Sequence, residues 1–458
     1  MKQYLDLKEL LQDICAIYGD RTAILSAVHN EKVRITYRQL YEAVMAKVTG
    51  HRENVRECFG LCGEMTPSWI LHAFAEVIQG KRVVMIDPML SAEETARVIR
   101  ETGVDFLYCD NRAKYQLVRS AVDRNQALVR EKEEAGDETI PGGGSFIFYS
   151  SGTTGEEKPC VLSQAAILDR VYWGNSMIPV HAGETCLAMI PFSHIFGFVC
   201  CLLWPLVNGV AVAIGRGLRH MADDTNLFRP EFMCLVPAQL QYLLSRGALN
   251  PELKHILVGA ESAPAELFAA ARARHIAVYY GYGLTEAASG IAMSDGIGDP
   301  HALRICPGTR VSISDQGEIL VTCGGLMDGY WHDEAATKEK IRDGVLYTGD
   351  TGYLDPEGRL FVEGRLNDVL TLPGGRKLAC TEVERELAKT VETQVALTLQ
   401  GGKLTLVAIA GSRFQKDIEE KVRAFNETNR EGIRIEQVVL RDDPFPRTVS
   451  GKIKRYAL

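Results

Sequence analysis

Short runs of hydrophobic residues alternate with stretches in which apolar residues recur every three or four positions. The runs predict buried β-strands, and the stretches predict helices with one apolar face. The clearest succession is the run Phe59–Gly63, the helical stretch Ser68–Gly80 and the run Arg82–Asp87, which predicts a βαβ unit. Further strands are predicted over Phe146–Ser150, Cys186–Ile190, Phe232–Val236, Ile256–Ala260 and Ala277–Gly281. This alternation is typical of layered α/β proteins.

The pattern changes after about Ser312, where strands and hairpins become more frequent. From residue 367 onward, a helix with Thr381 as its N-cap and Glu384 three residues later, a hairpin over 395–410 and the helix Asp417–Phe425 predict a small α+β unit. We therefore predict an α/β protein with a large multilayer domain and a β-rich subdomain over residues 1–366. A small, mobile C-terminal α+β domain is predicted over residues 367–458.

Composition and charge narrow the class of protein. The 458 residues include 51 basic and 59 acidic ones spread along the chain, so no basic stripe is available for a nucleic-acid backbone. The 12 cysteines are scattered, and neither Cys58/Cys62 nor Cys200/Cys201 has a second pair at zinc-ligand spacing. They are interpreted as reduced, mostly buried thiols. Because the N-terminal residues lack the continuous apolar core of a secretory signal, we predict a cytoplasmic protein.

One uncharged stretch, Ile195–Ile214, is long enough to span a bilayer. Pro205, Asn208 and Gly209 interrupt it. We predict instead a buried helix over Phe198–Trp204, a turn and a buried strand over Val210–Ile214, with no integral membrane span.

The segment Phe146–Lys158 places a predicted buried strand directly before a loop rich in serine, threonine and glycine. Its glycines can turn backbone N–H groups toward an anion, its hydroxyls add donors, and Lys158 adds a positive charge. The spacing does not fit the Walker phosphate loop. Taken alone, such a segment is equally compatible with a polar surface turn.

Further segments occur in a fixed order after this loop. They are PFSHIFG (Pro191–Gly197), GAES (Gly259–Ser262), YYGYGLTE (Tyr279–Glu286), LYTGD (Leu346–Asp350), GRLND (Gly364–Asp368) and PRTVSGKIKR (Pro446–Arg455). With the loop SSGTTG and Lys158, they make the chain resemble the adenylate-forming superfamily of acyl-CoA synthetases, aryl-acid ligases, luciferases and peptide-synthetase adenylation domains. The resemblance extends from about Thr36 to Arg455. The chain departs from the usual pattern at Glu157, Pro159 and Asn367.

The resemblance implies a set of site residues. Catalytic roles fall to Lys452, His194, Thr285 and Glu286, and Glu286 would also bind Mg²⁺. Binding of ATP or AMP falls to Ser150, Ser151, Gly152, Thr153, Thr154, Gly155, Lys158, Gly259, Ala260, Glu261, Tyr280, Gly281, Tyr282, Gly283, Asp350 and Arg365. Asn367 would be the hinge of the C-terminal domain, and the thiol or coenzyme A would contact Gly374, Gly375 and Arg376.

Each of these assignments has a simpler structural alternative. Thr285 and Glu286 also suit the start of a helix, where a capping hydroxyl and an early carboxylate are stabilising. Asp350 could be a turn residue, His194 a hydrogen-bonded structural side chain, and the basic C-terminal segment solvated charge.

The activity that the resemblance implies has two steps. ATP converts a carboxylic acid into an acyl-adenylate, and the acyl group then passes to coenzyme A or, alternatively, to the phosphopantetheine of a carrier protein. A non-catalytic nucleotide-binding relative is the other hypothesis. Phe192 and Ser193 precede His194, so no acidic residue stands there to pair an α-ammonium group, and we expect a fatty or aromatic acid. Phe198, Pro237 and Gly281 are candidate residues of the acyl pocket. The sequence does not predict an oligomeric state.

Overall fold

A computed structural model describes residues 2–28, 31–50, 58–125, 143–150, 157–366, 369–372, 377–429, 433–445 and 458. The helices of this part of the chain are α1 (Leu7–Tyr18), α2 (Tyr37–Gly50), α3 (Pro67–Ile78), α4 (Ala92–Thr102), α5 (Arg112–Asn125), α6 (Gln164–Gly174), α7 (Trp204–Val207), α8 (Met221–Phe228), α9 (Pro237–Arg246), α10 (Ala265–Arg272), α11 (Glu334–Lys340), α12 (Cys380–Val391) and α13 (Gln415–Thr428). A π-helix, Gly197–Leu203, leads directly into α7.

The strands up to residue 293 are β1 (Thr22–Val28), β2 (Glu31–Thr36), β3 (Cys58–Cys62), β4 (Arg82–Ile86), β5 (Phe106–Cys109), β6 (Ser145–Ser150), β7 (Lys158–Ser163), β8 (Thr185–Ala188), β9 (Ala211–Ile214), β10 (Phe232–Leu235), β11 (His255–Val258), β12 (Ala277–Leu284) and β13 (Ser289–Met293). The later strands are β14 (Arg304–Ile305), β15 (Thr309–Ile313), β16 (Glu318–Cys323), β17 (Gly329–Tyr330), β18 (Ile341–Arg342), β19 (Val345–Leu354), β20 (Leu360–Arg365), β21 (Val369–Thr371), β22 (Lys377–Ala379), β23 (Val395–Gln400), β24 (Lys403–Ile409) and β25 (Gln437–Arg441).

Two large sheets dominate the part of the chain that the structure describes. The nine-stranded sheet has the order β14-β13-β12-β11-β10-β8-β9-β1-β2, and the six-stranded sheet has the order β17-β7-β6-β4-β3-β5. Neighbouring strands from β12 through β1 in the first sheet run parallel, whereas β13 and β2 are antiparallel to their neighbours. The parallel strands are nearly continuous apolar runs because both faces of the sheet are buried.

The predicted βαβ unit is present in the six-stranded sheet. Strands β3 and β4 are parallel and paired in register, with Cys58 opposite Arg82 and Cys62 opposite Ile86. Helix α3 connects them. It begins after Thr66, whose side chain accepts a hydrogen bond from the backbone N–H of Trp69, and it buries its apolar face. The sequence pattern therefore identified a unit that also contributes to the site, because β4 ends at the cavity described below.

A β-rich region and a small C-terminal unit follow. Within the described residues, β15, β16, β19, β18 and β20 form a five-stranded antiparallel sheet, as the change of pattern after Ser312 predicts. The predicted hairpin over 395–410 is β23 and β24 with a turn at Gly401 and Gly402, and β25 adds a parallel strand that the sequence analysis missed. Helices α12 and α13 share one apolar cluster with this sheet.

The predicted cap of the first C-terminal helix is wrong. Helix α12 begins at Cys380, so Thr381 lies inside the helix instead of before it. Glu384 accepts a hydrogen bond from the backbone N–H of Leu397 on β23, which ties the helix to the sheet. A tertiary contact thus replaces the local capping contact.

The uncharged stretch Ile195–Ile214 has the predicted interior structure of helix, turn and strand. It comprises the π-helix, α7 and β9, and most of its side chains are buried among other parts of the protein. Across the described ranges, no helix combines the length and apolar character that crossing a bilayer requires. Eight of the twelve cysteines are buried, in agreement with their interpretation as core residues.

Phe198 is a core residue and not, as predicted, a residue of the acyl pocket. Its ring centroid lies 5.0 Å from that of Phe146, 5.5 Å from that of Phe148 and 6.4 Å from that of Trp69. These aromatic contacts join the π-helix to the six-stranded sheet. Pro237 is buried in the first turn of α9 and also lies away from the cavity lining.

We expect Gly197→Ala to destabilise the protein. A Cβ at Gly197 would lie inside the contact distance of the Pro191 carbonyl oxygen and 2.7 Å from that of Ile190, so the turn that presents His194 must shift. Such overpacking typically costs about 1–3 kcal/mol. Thermal and denaturant unfolding measure the effect. The matched control is Gly174→Ala at the end of α6, where no atom lies within 4 Å of the added Cβ. An equal stability of the two variants would contradict the steric argument.

Candidate active site

A large cavity among the described residues lies where strands of the two large sheets end. Its volume is about 950 Å³, and residues following β4, β6, β8, β11 and β12 line it. Ligand sites collect at the carboxyl ends of parallel strands because the connecting loops diverge there and free backbone groups. The sequence-predicted segments therefore converge although they lie far apart in the chain.

Most of the predicted site residues that the structure describes line this cavity. They are Ser150, Lys158, His194, Gly259, Ala260, Glu261, Gly281, Tyr282, Gly283, Thr285, Glu286 and Arg365. Two do not line it: Asp350 stands behind the wall, and the Tyr280 ring packs against Phe268 and His301. Ser151, Gly152, Thr153, Thr154, Gly155, Asn367, Gly374, Gly375, Arg376 and Lys452 lie outside the described residues.

Asp350 joins three distant segments in one buried contact. This residue is 4% exposed, and its carboxylate accepts a hydrogen bond from the Tyr282 hydroxyl at 2.7 Å through Oδ2. The Arg365 guanidinium Nε lies 2.7 Å from Oδ1. Burial, together with the Asp350 charge, raises the pKa of Tyr282, so the phenol remains a hydrogen-bond donor. Asp350 lies within β19, so the alternative of a turn aspartate is wrong.

Glu286 is buried at the cavity wall. It is 7% exposed, and Oε1 accepts a hydrogen bond from the Tyr330 hydroxyl at 2.8 Å. Burial and the neighbouring Glu286 charge raise the pKa of Tyr330. One carboxylate facing a cavity fits Mg²⁺, since this ion usually takes one or two protein carboxylates and completes its shell with water and substrate phosphates.

The alternative of a helix start at Thr285 is confirmed only in part. Residues Thr285–Ala287 make a single 3₁₀ turn without a side-chain cap, and the chain continues directly into β13. Thr285 lines the cavity.

Lys158 is held at the edge of the cavity by an ion pair. Its ammonium lies 2.9 Å from Asp333 Oδ2 and 5.2 Å from the centre of the Tyr330 ring. Asp333 also accepts a hydrogen bond from the backbone N–H of Ala336 as the N-cap of α11. That backbone hydrogen bond and the Lys158 ammonium lower the pKa of Asp333. Because the side chains of Lys158 and Asp333 are 33% and 41% exposed, the pair can open when a phosphate competes for the lysine.

His194 pairs with an acidic residue that the sequence analysis missed. Its Nε2 lies 3.1 Å from Asp87 Oδ2, and its side chain is 47% exposed at the cavity. Burial opposes ionisation of Asp87, but the hydrogen bond and charge of His194 outweigh it and lower the pKa of Asp87. The structural alternative for His194 therefore holds in part, because the histidine is hydrogen-bonded; it also lines the cavity, and its catalytic role stays a prediction. The sequence signal that could have identified Asp87 is its position at the end of a predicted strand, where ligand sites collect.

Glu157 is the second carboxyl group near His194. It lines the cavity and forms no hydrogen bond with any described residue. Burial raises the pKa of Glu157; the neighbouring His194 opposes that shift, and the Asp87 charge reinforces it. The sequence analysis noted Glu157 only as a departure from the phosphate-loop pattern, and the structure places this departure at the cavity wall.

One wall of the cavity is apolar. We call it the acyl wall; its residues are Ile178, Val199, Cys200, Gly281, Met293 and Cys306. Val199 and Cys200 belong to the π-helix that begins shortly after His194 in the chain. Arg170 on α6 also lines the cavity, and its charge is close enough to act on Cys306. The arrangement can therefore hold an apolar carboxylic acid with its carboxylate toward the polar side.

The comparisons with known proteins agree with this geometry. Residues 11–331 match the family model for AMP-binding enzyme. This chain belongs to the AMP-binding enzyme family. It is 28% identical over 331 residues to the 2-succinylbenzoate–CoA ligase of Listeria monocytogenes serotype 4b (strain F2365), which covers 68% of this chain and 69% of the relative. It is 26% identical to the feruloyl-CoA synthase of Amycolatopsis sp. over 93% of this chain and 94% of the relative.

A solved structure has the same fold as this AMP-binding enzyme. The O-succinylbenzoate coenzyme A synthetase of Bacillus subtilis, in complex with AMP, superimposes with a TM-score of 0.82 at 20% identity, over 98% of this chain and 97% of the other. The comparisons confirm the predicted superfamily, the predicted α/β class with a small C-terminal unit, and the predicted class of enzyme, an AMP-forming ligase that uses ATP to activate an acid.

We expect Glu157→Gln to stabilise this AMP-binding enzyme at neutral pH. The pKa of Glu157 is higher in the folded than in the unfolded chain, so ionisation weakens folding as the pH rises through the interval between the two values. Glutamine does not ionise, so the variant does not lose this folding stability as the pH rises. The variant should have a higher melting temperature than the parent at about pH 7, and the difference should shrink toward about pH 4, where glutamate is largely protonated in both states.

The control for this measurement is Glu266→Gln, which removes an exposed carboxylate from the first turn of α10. A gain for Glu157→Gln that is independent of pH would mean that ionisation of Glu157 is not the cause.

Proposed function

We propose that this AMP-binding enzyme activates an aromatic or aryl-alkyl carboxylic acid as its adenylate and transfers the acyl group to coenzyme A. The observation that carries the proposal is the single cavity in which Lys158, Glu286 and Arg365 face the same space as the acyl wall. An apolar wall meeting a charged wall suits an apolar acid whose carboxylate must approach a triphosphate. The relatives include a succinylbenzoate–CoA ligase and a feruloyl-CoA synthase, which supports an aromatic acid and coenzyme A.

The polar side of the cavity serves the nucleotide. Tyr282 presents a flat ring whose hydroxyl Asp350 fixes, so the ring is already oriented for stacking on adenine. Arg365, held by the same carboxylate, is placed to donate to ribose or phosphate oxygens. Lys158 exchanges Asp333 for a phosphate oxygen. Glu286 would hold Mg²⁺, which neutralises negative charge on the phosphates when it is bound.

A carboxylate attacks phosphorus only when the negative charge that both groups carry is offset in the transition state. Lys452 is the residue that we assign to this task, on the basis of the PRTVSGKIKR segment. The assignment includes rotation of a C-terminal domain, residues 367–458, about Asn367, after which Gly374, Gly375 and Arg376 face the thiol. The residues outside the described part of the chain are Asn367, Gly374, Gly375, Arg376 and Lys452. The domain boundary and the hinge are part of the proposal.

His194 lies between the two sides of the cavity. Its pairing with Asp87 fixes the ring through Nε2 beside the incoming carboxylate. The sequence analysis disfavoured amino acids because Phe192 and Ser193, which precede His194, cannot pair an α-ammonium group. Asp87 and Glu157 place carboxyl groups near His194 instead, so that argument no longer decides the substrate. Acids with an amino group therefore belong in any substrate panel.

The deciding experiment is acid-dependent exchange of labelled pyrophosphate into ATP. The panel contains benzoic, cinnamic and phenylalkanoic acids, fatty acids of several lengths and amino acids. We expect exchange with the aromatic acids and weaker exchange with amino acids, because the acyl wall is apolar. The absence of exchange with every acid would support the non-catalytic hypothesis. Thioester formation with coenzyme A, compared with a phosphopantetheinyl carrier protein, then identifies the acceptor.

We expect Lys452→Ala to reduce adenylate formation by at least about a hundredfold, as the loss of one transition-state charge contact does in other enzymes. Transfer of the acyl group from purified acyl-adenylate to coenzyme A should fall much less. Single-turnover assays of the two half-reactions measure the split. Lys454→Ala, two residues away in the same basic segment, is the matched control. Equal losses in both half-reactions would refute the assignment of Lys452.

A further inference from the structure

Arg170 is a buried cation that the adenylation chemistry does not use. It lies on α6, its side chain is 2% exposed, and it lines the same cavity as the acyl wall. Trp173 and Gly174 on the same helix line the cavity with it. A guanidinium is rarely buried without a full set of partners, because each unpaired N–H group loses its hydrogen bond to water.

The hydrogen bonds of Arg170 leave part of its donor capacity unused. Its Nε donates to Asp169 Oδ2 at 2.9 Å, and its Nη2 donates to the same oxygen. Its Nη1 donates to Thr309 Oγ1 at 2.6 Å. A guanidinium has five N–H donors, so these bonds use three of them. No other described residue accepts from the remaining two.

The surrounding backbone is shaped to admit this ion pair. A Cβ at Gly324 would lie 2.6 Å from the Asp169 carboxylate, and a Cβ at Gly325 would lie 2.6 Å from the Arg170 side chain. Asp169 is further fixed by the indole N–H of Trp173, which donates to Oδ1 at 3.1 Å. Arg170 is thus held in one orientation at the cavity, as a residue that recognises a ligand group must be.

The charge of the pair limits what it can bind. Arg170 and Asp169 together are close to neutral, so a second full negative charge placed beside them would be buried without a net counter-charge, which is unfavourable. A neutral oxygen acceptor has no such penalty and would satisfy donors that otherwise lack partners. An apolar group would leave those donors unpaired.

We infer that Arg170 selects acids that carry a neutral oxygen acceptor, such as a ketone or hydroxyl group, on the part of the acyl group that reaches α6. This inference rests on the proposed function. It makes Arg170 a specificity-determining residue. For acids of equal length, it predicts that kcat/KM is highest with a neutral oxygen acceptor, lower with an alkyl group and lowest with a second carboxylate.

The test uses pyrophosphate exchange with matched acids. The series consists of phenylalkanoic acids of several chain lengths that carry a para acetyl, para ethyl or para carboxylate group. At the best length, we expect kcat/KM for the acetyl acid to exceed that for the ethyl acid by about tenfold or more, the usual effect of one hydrogen bond to a charged group. The carboxylate acid should be the poorest of the three.

Three variants separate recognition from folding. Arg170→Lys keeps the charge beside Asp169 but loses the planar donors, so the acetyl preference should fall to about threefold or less. Asp169→Asn leaves the guanidinium without its counter-charge and should raise kcat/KM for the carboxylate acid relative to the acetyl acid. The double variant Asp169→Asn, Arg170→Met removes both charges and replaces the single variants if either fails to fold. Arg229→Lys, at an exposed ion pair with Glu252, is the control.

The outcomes are distinct. No exchange with any acid in the series or in the wider panel would overturn the proposed function itself. Exchange with equal kcat/KM for the acetyl and ethyl acids at every chain length would overturn only the role of Arg170. An acetyl preference that survives unchanged in Arg170→Lys and in the double variant would also overturn it.

Discussion

The constraint on which the site depends is that parallel strands end side by side. Strands β8, β10, β11 and β12 all run in one direction, so the segments that follow them meet at one edge of the nine-stranded sheet. Strands β4 and β6 bring Asp87 and Ser150 to the same cavity from the six-stranded sheet. The chain must leave these strands through tight turns. Ala260, with φ of 70°, adopts a left-handed conformation that is uncommon in a residue other than glycine, although its side chain is exposed.

Sequence reasoning identified the strands and their terminal segments because buried parallel strands are short, nearly continuous apolar runs. It failed where the deciding contact was made by a residue distant in sequence. Asp87 lies more than one hundred residues before His194, and Glu384 finds its partner on a different element. The pocket prediction for Phe198 failed for a related reason. A helix that is apolar on all sides does not reveal which face packs against aromatic residues and which faces a cavity.

Three ion pairs at the cavity differ in how easily they open. Lys158 with Asp333 lies near the surface, where an ion pair contributes little and water replaces either partner. Phosphates can therefore take the lysine at small cost. Arg365 with Asp350 is more buried and is held by Tyr282 as well, so it serves as a rigid edge of the nucleotide side.

Arg170 with Asp169 is the extreme case, because separating buried partners would leave two uncompensated charges. This pair must act as one neutral unit, and only its unused N–H donors remain for a ligand. Pairs of a basic side chain and a carboxylate thus have opposite uses on the two sides of one cavity. Where solvent reaches the pair, the cation can be transferred to a phosphate; where solvent is excluded, the pair stays closed and recognises shape and hydrogen bonding instead of charge.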